Sequence, residues 1–503
     1  MLDGRNHAWD FRRTAERALL ALACLIFALL SRYHWHQICD DAFIAFRYAD
    51  HLVAGLGPVW NRGEAVEGYS SPLWLAILVA GRAVGIDLPL WAGLLGVGFS
   101  ALCLVCVHRL AFALSDSRPV AAGSCAAASL LYPIYYWAPA GLETALFAAL
   151  ITAASWSLVA RSTWAWTLFA ACLGVVRPEG PFLACALVGL AARTQGRRSL
   201  RPGRLCLALG PALAWLIFRR AFYGDWLPNT YYAKATGSLI FRLETGLVYA
   251  IWALVGLVVT AVAAHLAGLT NRKVIGVLLF LVLALAAVIV GGGDWMWHAR
   301  MLAPVLPSLV GLAAAAIGRA RSQRRPVLVL ACVSVLSMFF PRPALLANVL
   351  TGKRLPPTAY QEGTMIPAAL AAAEFVASKY PSDALVAVNH AGALPFALPN
   401  PALDMTGLTD RHIAHEVEGA LHQKFDPAYV LARKPRIVVL NSRTRPGAGG
   451  AWYHVGYWVG ETALVAQPEF RTNYRPVDTF WEWRWLGDVP SYILLFERVE
   501  KNP

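Results

Sequence analysis

Residues 274–290 read VIGVLLFLVLALAAVIV, seventeen apolar residues without a break, and residues 247–266 read LVYAIWALVGLVVTAVAAHL. About 20 apolar residues of helix cross a hydrocarbon core, so these runs decide for a membrane protein over a soluble one. The whole chain agrees. Of its 503 residues, 58% are hydrophobic and 15% charged, where a soluble domain carries about a quarter charged. A net charge of +14 would suit nucleic acid, but its placement does not. Basic residues gather between apolar runs: Arg12, Arg13 and Arg17; Arg193 to Arg204; Arg272 and Lys273; Arg319 to Arg325. That is the pattern of cytoplasmic loops, and no nucleic-acid partner is expected. The nine cysteines lie in or near apolar runs and support no disulfide framework. Cys103 and Cys106 read as packing residues of one helix.

The first apolar run, Ala18–Leu30, follows a basic N-terminus and has no small-x-small cleavage site after it. This predicts an uncleaved signal-anchor helix with its N-terminus in the cytoplasm. Leu73–Ile86 is short, holds Arg82 and precedes Asp87 and Pro89, so it reads as an interfacial or re-entrant helix returning to the outer face. Further spans are expected at about 89–112, 118–137, 141–160, 163–176, 179–193, 205–222, 244–267, 273–291, 301–318 and 326–341. The count is about eleven crossings, which places every basic cluster inside and the tail outside. Arg219 and Arg220 then fall near an outer end, where long side chains can snorkel. The expected fold class is an all-α polytopic membrane domain over residues 1–341, with interfacial helices. A small extracytoplasmic α/β or α+β domain follows over 342–503. In that tail Ile366–Tyr380 has a helical pattern, and Ala384–Val388 and Ile437–Asn441 have strand patterns.

The threading brings the conspicuous polar residues to outer helix ends: Asp40 and Asp41, Glu64 and Glu67, Glu143, Arg177 and Glu179, Asp225 and Asn229, Asp294, His298 and Arg300. A carboxylate at the bilayer centre costs about 2.5–3.5 kcal/mol on insertion scales, and acids gathered on one face beside positive residues predict a shared cavity there. Asp40 and Asp41 open a stretch in which Phe43, Phe46, Ala49 and Val53 recur at helical spacing, as in an amphipathic helix at the membrane surface. Asp40 reads either as that helix's N-cap or as a general base for an acceptor hydroxyl. Arg177 lies in VRPEGPF, where Pro178 and Pro181 break the helix. It reads either as a structural partner of Glu179 or as a bidentate phosphate ligand. In GGGDWMWHARMLAP the membrane's aromatic belt accounts for Trp295 and Trp297, but not for Asp294 or Arg300.

The stretch DDAFIAFRYADHLVAGLGPVWNRGEAVEGYSSPLW at 40–74 resembles the first extracytoplasmic loop of GT-C glycosyltransferases, in particular the group of terminal β-(1→2)-arabinofuranosyltransferases. GLET at Gly141–Thr144, RPEG at Arg177–Gly180, YGDWLPNTYYAK at Tyr223–Lys234, GGDWMWHARMLAPVLP at Gly292–Pro307 and DMTGLTD at Asp404–Asp410 resemble that group's motifs in order. The resemblance implies a polyprenyl-phosphate sugar donor, inversion at the anomeric carbon, and a catalytic base in the acidic pair, with Asp40 favoured and Asp41 second. Arg177, Arg300, His298 and Lys234 become candidates to stabilise the donor phosphate. Glu67, Tyr69, Glu143, Glu179, Asp225, Asn229, Asp294 and Trp295 become candidate substrate contacts. Many members of the class use a divalent cation, and no ligand set is assigned for one. The expected partners are a polyprenyl-phosphate sugar, a glycan, lipid-linked glycan or protein acceptor, and the bilayer. The expected location is the bacterial plasma (inner) membrane.

In the tail, Trp452, Trp458, Trp481, Trp483 and Trp485 are candidates to stack on sugar faces or to pack a core. Asn389, His390 and Asp404 lie near strand ends. The competing class is a transporter or flippase of lipid-linked glycans, which would carry polar groups through the membrane depth and show paired halves. A silent glycan-binding relative gives no reason for the acidic pair.

Overall fold

Asn271 accepts the N–H groups of Lys273 (3.0 Å) and Val274 (3.2 Å) and opens the Arg272–Val290 helix. In the computed structural model the protein is described over residues 3–160, 164–234, 237–294, 296, 298–320, 324–339, 365–419, 423–442, 458–485 and 489–499. At 3–13, 15, 198, 335–339, 481–485 and 489–491 the description is of the backbone alone. Among the described residues, four helices are long and apolar enough to cross a membrane: Leu88–Ser115, Pro202–Phe222, Leu239–Leu266 and Arg272–Val290. The chain forms two compact units, each assembled from separate stretches.

The first unit comprises Met1–His36, Ala92–Leu216 and Leu239–Lys353 and is helical. Its central helix, Thr144–Val159, buries every residue but Trp156, as a helix apolar on all sides must. The helices Ala165–Leu173, Gly180–Gln195, Arg272–Val290 and Leu306–Arg319 pack around it. The Leu239–Leu266 helix buries small residues, among them Gly246, Ala250, Ala253 and Gly256, and exposes Val248 and Val258. Small residues inside and large apolar ones outside suit helix contact in lipid. The single span expected over 118–137 is instead two helices, Arg118–Ser129 and Tyr132–Trp137. Pro133, in the first turn of the second, has no N–H to give to the preceding turn, a loss that a helix start tolerates. Cys103 and Cys106 are buried, unbridged packing residues.

The second unit comprises Gln37–Trp91, Ile217–Ser238 and Arg354–Pro503. The boundary expected at 341/342 lies outside the described residues. Five strands, β1 (Val386–Val388), β2 (Ala402–Asp404), β3 (Ile437–Ser442), β4 (Tyr474–Trp485) and β5 (Val489–Arg498), form a sheet in the order β2-β1-β3-β5-β4. β1 runs parallel to β2 and β3, and β5 is antiparallel to β3 and β4. All six residues of β3 are buried, as expected of a central strand covered on both faces. The helix expected over 366–380 is Ile366–Lys379, and it packs on β4 and β5.

In the Asp40–Val53 helix part of the apolar face covers protein: Phe43 and Phe46 meet the ring of Phe396 edge-on at 5.4 and 6.0 Å, while Val53 is exposed. Helical periodicity reports that a face is apolar and is silent about what covers it. The next helix, Pro72–Ala83, is capped by Ser71 and held to the first by Arg82 and Asp50 (2.6 Å). Its twelve residues reach about 18 Å, short of the roughly 30 Å hydrocarbon core.

Candidate active site

In the second unit Asp40 is the first residue of its helix, and the N-cap position belongs to Cys39. The Asp40 carboxylate does not cap its own helix. Its Oδ1 accepts the N–H of Ala393 (2.8 Å), 353 residues away. The approach is close enough to require glycine at 392, because a Cβ there would lie under 3.0 Å from the carbonyl oxygen, Cγ and Oδ2 of Asp40. Burial raises the Asp40 carboxyl above the usual carboxylate range. His390 and the Ala393 N–H oppose the rise, and the like charge of Asp41 adds to it. Asp41 is partly exposed and makes a loose 4.0 Å ion pair with Lys234.

The helix bearing the pair is clamped by Arg47, which is buried. Its guanidinium donates to the carbonyls of Trp60 (2.9 Å), Pro395, Leu398 (3.4 Å) and Asn400 (2.9 Å). Trp60 also lies under its charge, 5.0 Å from Cζ. Five carbonyl-seeking N–H groups in a rigid fork make arginine the side chain able to tie one helix to several turns of a distant loop.

Several expected substrate contacts are engaged by partners within the second unit. Glu67, 2% exposed, forms a forked pair with Arg219, at 2.5 Å to Nε and 3.0 Å to Nη2. Arg219 therefore does not snorkel; it neutralises a buried carboxylate that could not stay charged alone. Tyr69 is hydrogen-bonded to Tyr223 (3.0 Å), whose hydroxyl also donates to Pro58 (2.7 Å). The Asn229 amide donates to the carbonyls of Gly407 (2.9 Å) and Leu408 (3.1 Å). Asp225 takes a forked pair from Arg411 at 2.6 and 3.1 Å. Glu67, Tyr69 and Asn229 are buried. Asp404 is likewise structural, accepting the N–H and hydroxyl of both Thr406 and Thr409.

In the first unit a second cluster forms at the turn that interrupts 174–179. Gly180 lets the turn close on the carbonyl of Leu173, which a Cβ would strike. Arg177 donates from Nε to Glu179 (2.7 Å), from Nη1 to Glu143 (2.5 Å) and from Nη2 to the sulfur of Met301 (2.8 Å). Arg300 pairs with Asp294 at 2.8 and 3.3 Å and is close enough for its charge to act against that of Arg177. His298, in left-handed backbone at φ 65°, lies against Tyr136 (4.1 Å) and Tyr132 (5.1 Å), and its carbonyl accepts Trp137 Nε1 (3.0 Å). So six of the expected residues meet here, both arginines already facing carboxylates. Trp295 and Trp452 lie outside the described residues, as do the side chains of Trp481, Trp483 and Trp485. Among the described residues no three of His, Cys, Asp or Glu converge as metal ligands, and none is assigned.

Sequence reasoning missed Arg47, Arg219 as a partner, and the Gly392–Ala393 turn. For Arg219 a signal existed: a basic residue at an outer helix end goes against the positive-inside pattern and invites a search for a buried acid.

ArnT from Cupriavidus metallidurans, solved bound to undecaprenyl phosphate, superposes with a TM-score of 0.55 over 95% of this chain and 97% of that one. At 14% identity this shows the fold alone. In sequence the chain is similar to two terminal β-(1→2)-arabinofuranosyltransferases. The one from Mycobacterium tuberculosis is 32% identical over 248 residues, 43% of this chain and 38% of the relative. The one from Corynebacterium glutamicum is 28% identical over 252 residues, 44% and 37% respectively. The matched stretch thus spans well under half the length of these curated relatives. Residues 357–495 match a family described as a domain of unknown function (DUF8728).

Proposed function

We propose that the chain is an inverting glycosyltransferase that moves a sugar, arabinofuranose or a related pentose, from a polyprenyl-phosphate donor to an envelope glycan, lipid-linked glycan or protein. Asp40 takes the proton of the acceptor hydroxyl as that oxygen bonds to the anomeric carbon. The bond from carbon to phosphate oxygen breaks, and the lipid phosphate leaves with the electron pair. Such a leaving group needs little protonation, so one carboxylate suffices where a glycosidase uses two. Arg177, Arg300, His298 and Lys234 are the donor-phosphate ligands in this reading. The reaction is on the outer face of the bacterial plasma membrane, with about eleven crossings, the N-terminus in the cytoplasm and residues 342–503 outside.

The observation that carries the reading is the state of Asp40. It is a partly buried carboxyl, raised in pKa, and fixed by a backbone N–H from a distant loop. A base works best when its pKa approaches the working pH, and burial moves Asp40 that way. The test supplies purified protein with radiolabelled polyprenyl-phosphate pentoses and envelope acceptors. Wild type forms product, and Asp40→Asn, whose amide oxygen can still accept the Ala393 N–H, loses about 10²–10⁴-fold. Unchanged turnover in that variant removes the base. Labelled lipid carried across vesicles without product favours the flippase reading. Reporter fusions after Arg204 and after Pro341 should report opposite sides of the membrane.

A further inference from the structure

We propose that the Gly392–Ala393 turn is the positioning element of the base: it fixes the Asp40 carboxylate, and residue 392 must lack a side chain for it to do so. The inference rests on the glycosyl-transfer reading of Asp40. Three observations within one compact unit carry it. The Ala393 N–H donates to Asp40 Oδ1 at 2.8 Å. A Cβ on residue 392 would fall under 3.0 Å from three Asp40 atoms, one of them the backbone carbonyl oxygen, so no rotamer change at Asp40 relieves the clash. The contact is also held from behind, because Arg47 on the same helix grips the carbonyls of Pro395, Leu398 and Asn400 and Phe396 packs on Phe43 and Phe46. Helix and loop therefore stay joined when the turn itself is altered, and the adjustment falls on Asp40.

Misplacing a catalytic group by about 1 Å can cost roughly 10²-fold in rate. Gly392→Ala should lower kcat for transfer by about 10- to 100-fold while KM for the lipid-phosphate sugar changes little. Ala393→Pro removes the N–H and sets its Cδ where that hydrogen lay, against Asp40 Oδ1, so the bond is lost and the carboxylate displaced together. Residue 393 is the first of its short helix, where proline is tolerated, and the N–H it deletes is the one given to Asp40. The groups facing Asp40 are Asp41 on its own helix and His390 in the loop, and both remain. Losing a donor to the charged form raises the carboxyl further, so the acid limb of the pH–rate profile should move to higher pH. A merely structural turn would lower the amount of folded protein and leave that limb in place.

Both variants are measured in membranes against wild type, with the folded fraction read by detergent-solubilised size exclusion. Wild-type kcat in Gly392→Ala, or an unmoved acid limb in folded Ala393→Pro, overturns the inference. If Gly392→Ala does not fold, Ala393→Pro decides alone. Full activity in Asp40→Asn would instead remove the reading on which the inference rests.

Discussion

Arg219→Met asks whether the second unit depends on its buried ion pair. The side chains of Arg219 and Glu67 are 4% and 1% exposed and meet through two bonds, at 2.5 and 3.0 Å. Methionine keeps the apolar stem and removes every donor, leaving a carboxylate in the protein interior. The nearest hydroxyls give no relief, since Tyr69 and Tyr223 are bonded to each other and onward to Pro58. Removing one partner of a buried pair costs about 3–5 kcal/mol. For a folding unit of about 150–250 residues each kcal/mol lowers the midpoint by about 2–4 °C, so the expected fall is roughly 6–20 °C. Tryptophan fluorescence of detergent-solubilised protein during heating reads it. The double variant Glu67→Leu/Arg219→Met removes both charges and should recover most of the loss, because an apolar replacement of a whole buried pair is often neutral or better. A single variant melting within about 2–4 °C of wild type, or a double variant melting below the single one, refutes the reasoning.

Two further outcomes follow from carboxyls that burial pushes up. Transfer should fail as pH drops, with the acid limb of kcat/KM above about pH 4, the ordinary aspartate value; a profile flat to pH 4 counts against Asp40. Asp40, Asp404 and Asp410 are all raised by burial. Their contribution to stability is therefore full below about pH 3.9, the unfolded value, and is lost as pH rises through the folded values; denaturant midpoints that rise steadily across that window contradict it. Asp404→Asn leaves one acceptor oxygen for four donors and should cost about 1–3 kcal/mol for each donor stranded, which melting of the variant measures.

What the sequence made legible is what local pattern encodes. The apolar runs gave the long helices to within a few residues, because length and hydropathy are properties of contiguous chain. The strand at 437–441 was legible for the same reason, being a continuous apolar run that ends up buried on both sides. Asp40 and Asp41 stood out as acids beside a span, where charge is costly. The partners of these groups were not legible. Glu67 and Arg219 are 152 residues apart, and Asp40 and Ala393 are 353 apart, so nothing in either neighbourhood announces the other. Polarity at an outer helix end singled out both Asp40 and Glu67, yet only burial and partners distinguish them: Asp40 is partly buried and accepts one backbone N–H, and Glu67 is buried in a forked pair with Arg219.

The same distinction bears on Arg177. Its guanidinium touches Glu143 and Glu179, and with Arg300 and Asp294 the cluster sets two positive charges against three negative ones. In the reading proposed above, a site that must release lipid phosphate after each turnover would gain from that balance: the carboxylates would fix the guanidiniums in place and keep the product from binding too tightly. Glu179→Gln tests this directly. Glu143 still holds Arg177 at 2.5 Å, while the loss of one negative charge lowers the repulsion felt by an incoming phosphate. Unit charges 4 Å apart interact with about 4 kcal/mol at an effective dielectric of 20. At a somewhat larger separation, and with the Glu179 side chain 19% exposed, a gain of about 1–3 kcal/mol is expected. That corresponds to polyprenyl phosphate binding roughly 5- to 150-fold more tightly, read as product inhibition of transfer. If inhibition in the variant is unchanged or weaker, Arg177 does not hold the phosphate, and its pairing with Glu143 and Glu179 is structural.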